Sequence, residues 1–131
     1  MPQLAKGGKW VFGWCVVGPA DEIYIPPQAF TEHGFQAGET VIITRGSRRS
    51  GGFGIWRRNV LARSQISLRS RFLGQARIGN GMRVVLPPEV GVQPDESLLA
   101  VRGSGLALGF LQRGPIYEKA LEHTKVESFA S

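Results

Sequence analysis

The sequence predicts a mainly β protein with short helices, assembled from two internal copies of one unit and ending in a short C-terminal helix. Three observations carry this. Eighteen glycines and eight prolines among 131 residues cut the chain into short runs, which favours strands over long helices. The segment Gly34 to Ser47 aligns without gaps on Gly91 to Ser104, with six identities in 14 positions. An apolar fraction of 42% against 20% charged residues is globular composition and excludes a disordered chain.

Each copy opens with a β-rich run, Trp10 to Val17 in the first and Gly74 to Ile78 in the second. Turns follow at Gly18-Pro19-Ala20-Asp21 and Gly79-Asn80-Gly81. A short strand, Ile23-Tyr24-Ile25 or Val84-Val85-Leu86, then runs into Pro-Pro. Proline cannot donate to a ladder, so it stops a strand, and it suits the first turn of a helix. The spacing predicts a helix of about two turns over Pro26 to His33 and barely one turn over Pro88 to Val90. Gly34 fits the helix C-terminal cap. The turns Ala37-Gly38-Glu39 and Pro94-Asp95-Glu96 lead into strands Thr40 to Thr44 and Ser97 to Val101. An Arg-Gly-Ser turn follows in each copy, and a last strand carries Phe53-Gly54-Ile55 or Leu108-Gly109-Phe110.

The chain thus divides into repeat 1 at 9–56, a basic linker at 57–73, repeat 2 at 74–113, and a C-terminal helix and tail at 114–131. In the linker, Ile66, Leu68 and Phe72 alternate with Gln65, Ser67, Arg69 and Arg71, the pattern of a half-buried strand. A helix over Asn59 to Ser70 stays open as the alternative. Pro115 to His123 reads as the C-terminal helix with proline at its start. Glu127 to Ser131 is expected to fray.

The net charge is +6, but it is unevenly spread. No acid lies between Thr40 and Pro88, and that window holds ten arginines and no lysine. The segments on either side each carry −2. The planar guanidinium fork suits bidentate contact with phosphate or carboxylate, and a field of this sign attracts a polyanion. A solvated face, or ion pairs with the acidic ends, is the competing account of the same charge.

Other classes are excluded or weakened. No run approaches 18 apolar residues, so no membrane span is expected. The opening Met-Pro-Gln-Leu-Ala-Lys has no apolar signal core, and a single cysteine allows no internal disulfide, so a cytoplasmic location is expected. Cys15 sits in the apolar run Trp14-Cys15-Val16-Val17 and reads as an inert core thiol. His33 is expected to pack or cap at a helix end, and His123 to be solvated; neither has a partner at metal-ligand spacing. The steps Gly46-Ser47 and Gly103-Ser104 read as turns, and the glycine-rich stretches lack the Lys-Ser/Thr of a phosphate loop. No enzyme, no cofactor and no metal are expected.

Gly81-Met82-Arg83-Val84-Val85-Leu86-Pro87, followed by Gly91-Val92-Gln93-Pro94-Asp95-Glu96, resembles the AbrB/SpoVT-type swapped-hairpin family. Asp21 to Ser47 of the first copy resembles its helix and turn regions, and the two-copy chain resembles the tandem MraZ arrangement. Together the matches cover about two-thirds of the chain. The resemblance implies a pseudo-two-fold swapped-hairpin β-barrel in which each copy lends a hairpin to the other. The physics agrees, because one copy of about 45 residues is too small to bury a core alone. Domain swapping between chains would give a homo-oligomer.

The resemblance also implies a transcriptional regulator that binds double-stranded DNA. Arg77 and Arg83 fall at or near two of the family's contact positions, while the first copy has Glu22 where the second has Arg83. The helix Gln28 to His33 lacks the basic pair that the family often carries there. The candidate DNA-binding set is Arg77, Arg83, Arg69, Arg71, Arg48, Arg49, Arg45, Arg57, Arg58 and Arg63. The alternative is an antitoxin-like interaction module that docks a toxin or a regulatory subunit. That reading expects an exposed aromatic patch from among Trp10, Trp14, Trp56 and Phe53, whereas core packing is expected for at least two of the tryptophans.

Overall fold

The computed structural model describes residues 10–63, 71–102, 107–123 and 126–130. The apolar run after Trp10 forms β1 (Val11–Val16), and the turn at Asp21 feeds β2 (Glu22–Tyr24). Pro27 opens the helix α1 (Pro27–His33), and Gly34 closes it at φ 72°, its N–H bonded to carbonyls of the last turn. β3 (Thr40–Arg45) and β4 (Phe53–Arg57) follow, and then the helix α2 (Arg58–Arg63). β5 (Phe72–Arg77), a 3₁₀ turn at Asn80–Met82, β6 (Arg83–Val85) and a 3₁₀ turn at Pro88–Val90 come next. The chain ends with β7 (Ser97–Arg102), β8 (Leu108–Leu111), α3 (Pro115–Leu121) and β9 (Ser128–Ala130).

Seven strands form one mixed sheet in the order β5-β3-β4-β8-β7-β1-β9, and β2 and β6 form a separate ribbon. β1 runs antiparallel to β7 with Cys15 opposite Leu98, and β3 runs antiparallel to β5 with Val41 opposite Ala76. β4 and β8 meet at the centre with Gly54 opposite Gly109. In the ribbon Ile23 faces Val84. β9 lies parallel to β1.

The core fills the space between the sheet and the ribbon. Phe12, Cys15, Ile23, Ile25, Val41, Ile43, Phe53, Ile55, Val84, Leu98 and Phe110 are buried there in one cluster. Phe53 and Phe110 stack at its middle with ring centroids 4.8 Å apart. The outer face carries two smaller clusters. Val11, Leu99, Val101, Leu111 and Ala120 pack under α3, and Ile42, Trp56 and Ala107 pack with Leu61 of α2. Trp56 Nε1 donates to Thr44 Oγ1 at 3.0 Å, which satisfies two polar groups buried on that side.

Two expectations are corrected. First, the sheet does not close into a barrel: its hydrogen-bonded order is open, with β5 and β9 at the two edges. Added to the outside of β1, β9 extends the sheet instead of letting it close on itself. The linker opens with the helix α2, whose Leu61 packs on Ile42 and Trp56. The run expected as a strand, 65–72, lies outside the described residues over 65–70, and Phe72 at its end opens β5. Second, the tail is a strand and not a frayed end. Trp14 N–H donates to the Glu127 carbonyl at 2.7 Å, and Phe129 lies against Tyr24 with centroids 6.1 Å apart. Gly13 makes room for this: a Cβ there would stand 2.6 Å from the Glu127 carbonyl and 2.7 Å from the Phe129 ring.

Candidate nucleic-acid interface

The arginines of the acid-free window fall into three sets. The first gathers at the β3–β4 loop. Arg45 ends β3, and Arg48 and Arg49 stand exposed in the turn that follows. The loop is fastened by bonds that span the sequence. Gln112 and Arg113 N–H groups both donate to the Ser50 carbonyl, at 2.9 and 3.0 Å. The side chain of Gln112 accepts from Gly52 N–H at 2.9 Å and donates to Glu96 at 3.0 Å. Gly52 has to be glycine for this clasp, since φ is +72° and a Cβ would overlap the Phe110 carbonyl. Arg113 in turn donates from Nη2 to the Arg48 carbonyl at 2.9 Å.

Two depressions flank this loop. One, open to solvent, has a volume of about 470 Å³ and is lined by Ser47, Arg49, Ser50, Arg113 and the apolar Leu111, Pro115 and Ile116. The other, about 190 Å³, brings Arg45 and Arg71 beside Trp56 and Phe110. Ser47 and Ser50 share a 2.6 Å hydroxyl contact and line both. Arg45, Arg48, Arg49, Arg71 and Arg113 are therefore close in space although they come from four places in the sequence.

The second set lies at the far end of β5. Arg77 is six residue steps along the strand from Arg71, so the two ends are about 20 Å apart. Arg77 Nε donates to the Gly38 carbonyl at 3.1 Å. Arg83 lies over the Tyr24 ring, 5.3 Å from its centroid, with a weak bond to the Gly81 carbonyl at 3.4 Å. Both side chains are held by groups that leave their charge uncompensated and exposed.

The third set sits apart. Arg57 is half-buried and ion-paired to Glu39 at 2.9 Å, so its guanidinium is already engaged. Arg58 is exposed at the start of α2. The side chain of Arg63 and the whole of Arg69 lie outside the described residues. Among the described residues the ion pairs are Arg57–Glu39 and Arg102–Glu32. Arg45, Arg48, Arg49, Arg58, Arg71, Arg77 and Arg83 are exposed, and none takes part in either pair.

Sequence reasoning missed Arg113, Gln112 and the two serines. Arg113 lies outside the acid-free window, and only the fold of β8 against β4 brings it to the loop. The other chemical candidates resolve as packing. Burial pushes the Cys15 thiol up to about 12, so it stays a thiol at neutral pH. His33 stacks on Phe35 at 5.6 Å and meets the edge of Phe12 at 6.2 Å, while His123 is exposed. Trp56 and Phe53 are buried, Trp14 is half-buried against Tyr117, and Trp10 is 39% exposed. Among the described residues no group of three His, Cys, Asp or Glu could hold a metal ion, and no helix is long and apolar enough to cross a membrane.

No family model matches the chain, and no curated protein matches it in sequence. Among solved structures it is similar to the solution structure of PHS018 from Pyrococcus horikoshii, with 19% identity and a TM-score of 0.41. That match covers 80% of this chain and 98% of the other.

Proposed function

We propose that the chain is a DNA-binding module of the AbrB/SpoVT type, in which two copies of one unit share a core and the uncompensated arginines contact the duplex. The observation that carries the reading is the set of seven exposed arginines that neither ion pair occupies. Arg71 links the loop group to the Arg77–Arg83 group along β5, a stretch of about 20 Å that corresponds to about six base-pair steps along the axis of a duplex. Phosphate contacts of this kind position a protein on DNA, and arginine supplies them with fixed donor geometry.

The two-copy part of the reading is supported by the ladders. Exchanging β1 with β5, β2 with β6, β3 with β7 and β4 with β8 turns the order β5-β3-β4-β8-β7-β1 into itself read backwards. Cys15 opposite Leu98 becomes Ala76 opposite Val41, and Ile23 opposite Val84 returns to itself. The unusual backbone positions also correspond. Asp21 and Met82 have φ of 57° and 60°, Gly34 and Gly91 have 72° and 75°, and Gly38 and Asp95 have 85° and 68°. Gln36 and Gln93 N–H groups each donate to a glutamate three residues on, Glu39 and Glu96. In this exchange the first strand of each copy pairs with the third strand of the other, which is what a swapped hairpin requires.

The correspondence also makes the DNA face one-sided. The counterparts of Arg77 and Arg83 are Val16 and Glu22, so the duplex is engaged through the second copy and the β3–β4 loop. Binding of a labelled duplex at low salt tests this. The expected result is saturable binding that weakens in Arg48→Ala/Arg49→Ala and in Arg77→Ala/Arg83→Ala with unchanged thermal stability. No binding to any duplex overturns it.

A further inference from the structure

The two outer edges of the sheet differ. On the outer edge of β1 lies β9, with Ser128 opposite Trp14, Phe129 opposite Cys15 and Ala130 opposite Val16. Phe129 covers Tyr24 on the neighbouring ribbon. The counterpart edge, β5, ends the sheet with no strand beyond it among the described residues. The counterpart of Tyr24 is Val85, which is 59% exposed, and Phe72 at the start of β5 is 50% exposed. An uncovered edge is a template for another strand.

We propose that the β5 edge receives an extended, acidic segment of a partner protein, bound as an added parallel strand in the way β9 is bound to β1. The proposal goes beyond DNA contact and rests on the two-copy correspondence of the fold. That correspondence fixes the register. Trp14 N–H turns outward to the Glu127 carbonyl, so Trp14 and Leu99 are a pair that exchanges no ladder bonds. Gln75 and Ile42 are the counterpart pair, so Gln75 N–H points away from β3. An incoming residue opposite Ala76 takes the place of Phe129 and covers Val85. The charge argues for the chemistry of the occupant. Arg71 and Arg77 stand at the two ends of the edge and Arg83 lies next to Val85 in β6. The β1 edge has Val16 and Glu22 at the two matching positions of Arg77 and Arg83, so the β5 edge calls for a more acidic strand than β9. A strand at a sheet edge takes its affinity from main-chain bonds and its selectivity from alternate side chains.

The test is a titration of the isotope-labelled full chain with the acidic peptide Glu-Val-Glu-Ser-Phe-Ala-Glu, patterned on β9, followed by backbone NMR. Saturable shifts centred on Gln75, Ala76 and Val85 are expected. Gln75→Pro removes the outward N–H and leaves the β3 ladder intact, so it should weaken the peptide at least about tenfold. Val85→Glu lies on an exposed position and should weaken it similarly through like charge, which keeps the test sound if the proline variant fails to fold. Absence of shifts, or shifts confined to β1, overturns the proposal. So does a short duplex that perturbs the β5 amides while the peptide perturbs none, or a concentration-dependent dimer that buries β5 without peptide. Nuclear Overhauser effects from the same labelled chain read the Cys15–Leu98 and Ala76–Val41 cross-strand contacts, so a failure of the two-copy reading is seen separately.

Discussion

Single residues decide where this fold can be perturbed and what would follow. Gly13 combines φ of +152° with contact to Glu127 and Phe129 that leaves no room for a methyl group. Gly13→Ala should therefore cost on the order of 2 kcal/mol, read as a lower Tm or a lower midpoint in urea. Cys15 should resist a thiol reagent in the native state and react fully in denaturant, because burial holds its pKa near 12. Glu32 behaves differently. Two hydrogen bonds from Arg102 pull its carboxyl below the usual carboxylate range. A depressed carboxylate stabilises the folded chain above its unfolded pKa, and that gain is lost as pH falls through the folded value. The pair is largely exposed, so Glu32→Gln should cost under about 1 kcal/mol at pH 7. The difference from the parent chain should vanish in acid, as paired denaturation curves at the two pH values would show.

At the scale of elements, the local signals are the legible ones. Pro27 and Gly34 bound α1, and Pro115 opens α3, because a start proline and a left-handed cap act within a few residues. The tail departs from its sequence pattern for the opposite reason. Nothing near Phe129 in sequence says that Gly13 leaves it a place, because that partner is distant along the chain. The tail strand can be tested directly. A chain ending at residue 125 should lose about 1–3 kcal/mol of stability, from the exposure of Tyr24 and one side of β1. Its tryptophan emission should shift to the red as Trp14 gains water. The centre of the sheet should be far more sensitive. Phe53→Ala empties the stack on Phe110 and should cost about 3–5 kcal/mol, enough to threaten folding.

At the scale of the molecule, the sequence shows that the charge is concentrated but not how it is distributed in space. The acid-free window suggests one arginine face. The fold divides it into a loop group that recruits Arg113 and a group at Arg77 and Arg83, and it engages Arg57 with Glu39. Charge runs are visible along a chain, whereas the strand order that gathers or separates them is set by pairing between distant segments. The consequence is an asymmetric molecule. One sheet edge is covered by β9, and the other side carries the exposed arginines and β5, which no strand covers among the described residues. Charge gathered on one side of a molecule orients whatever it binds.

The most direct test of the DNA reading is the salt dependence of duplex binding by fluorescence anisotropy. Four to seven phosphate contacts should give a log–log slope of about −4 to −6 between low and moderate salt. Charge reversal at Arg48 and Arg49 should make the slope shallower, by about one unit for each phosphate that is no longer neutralised. A duplex that does not bind at low salt, or one whose affinity does not change with salt, would contradict the account.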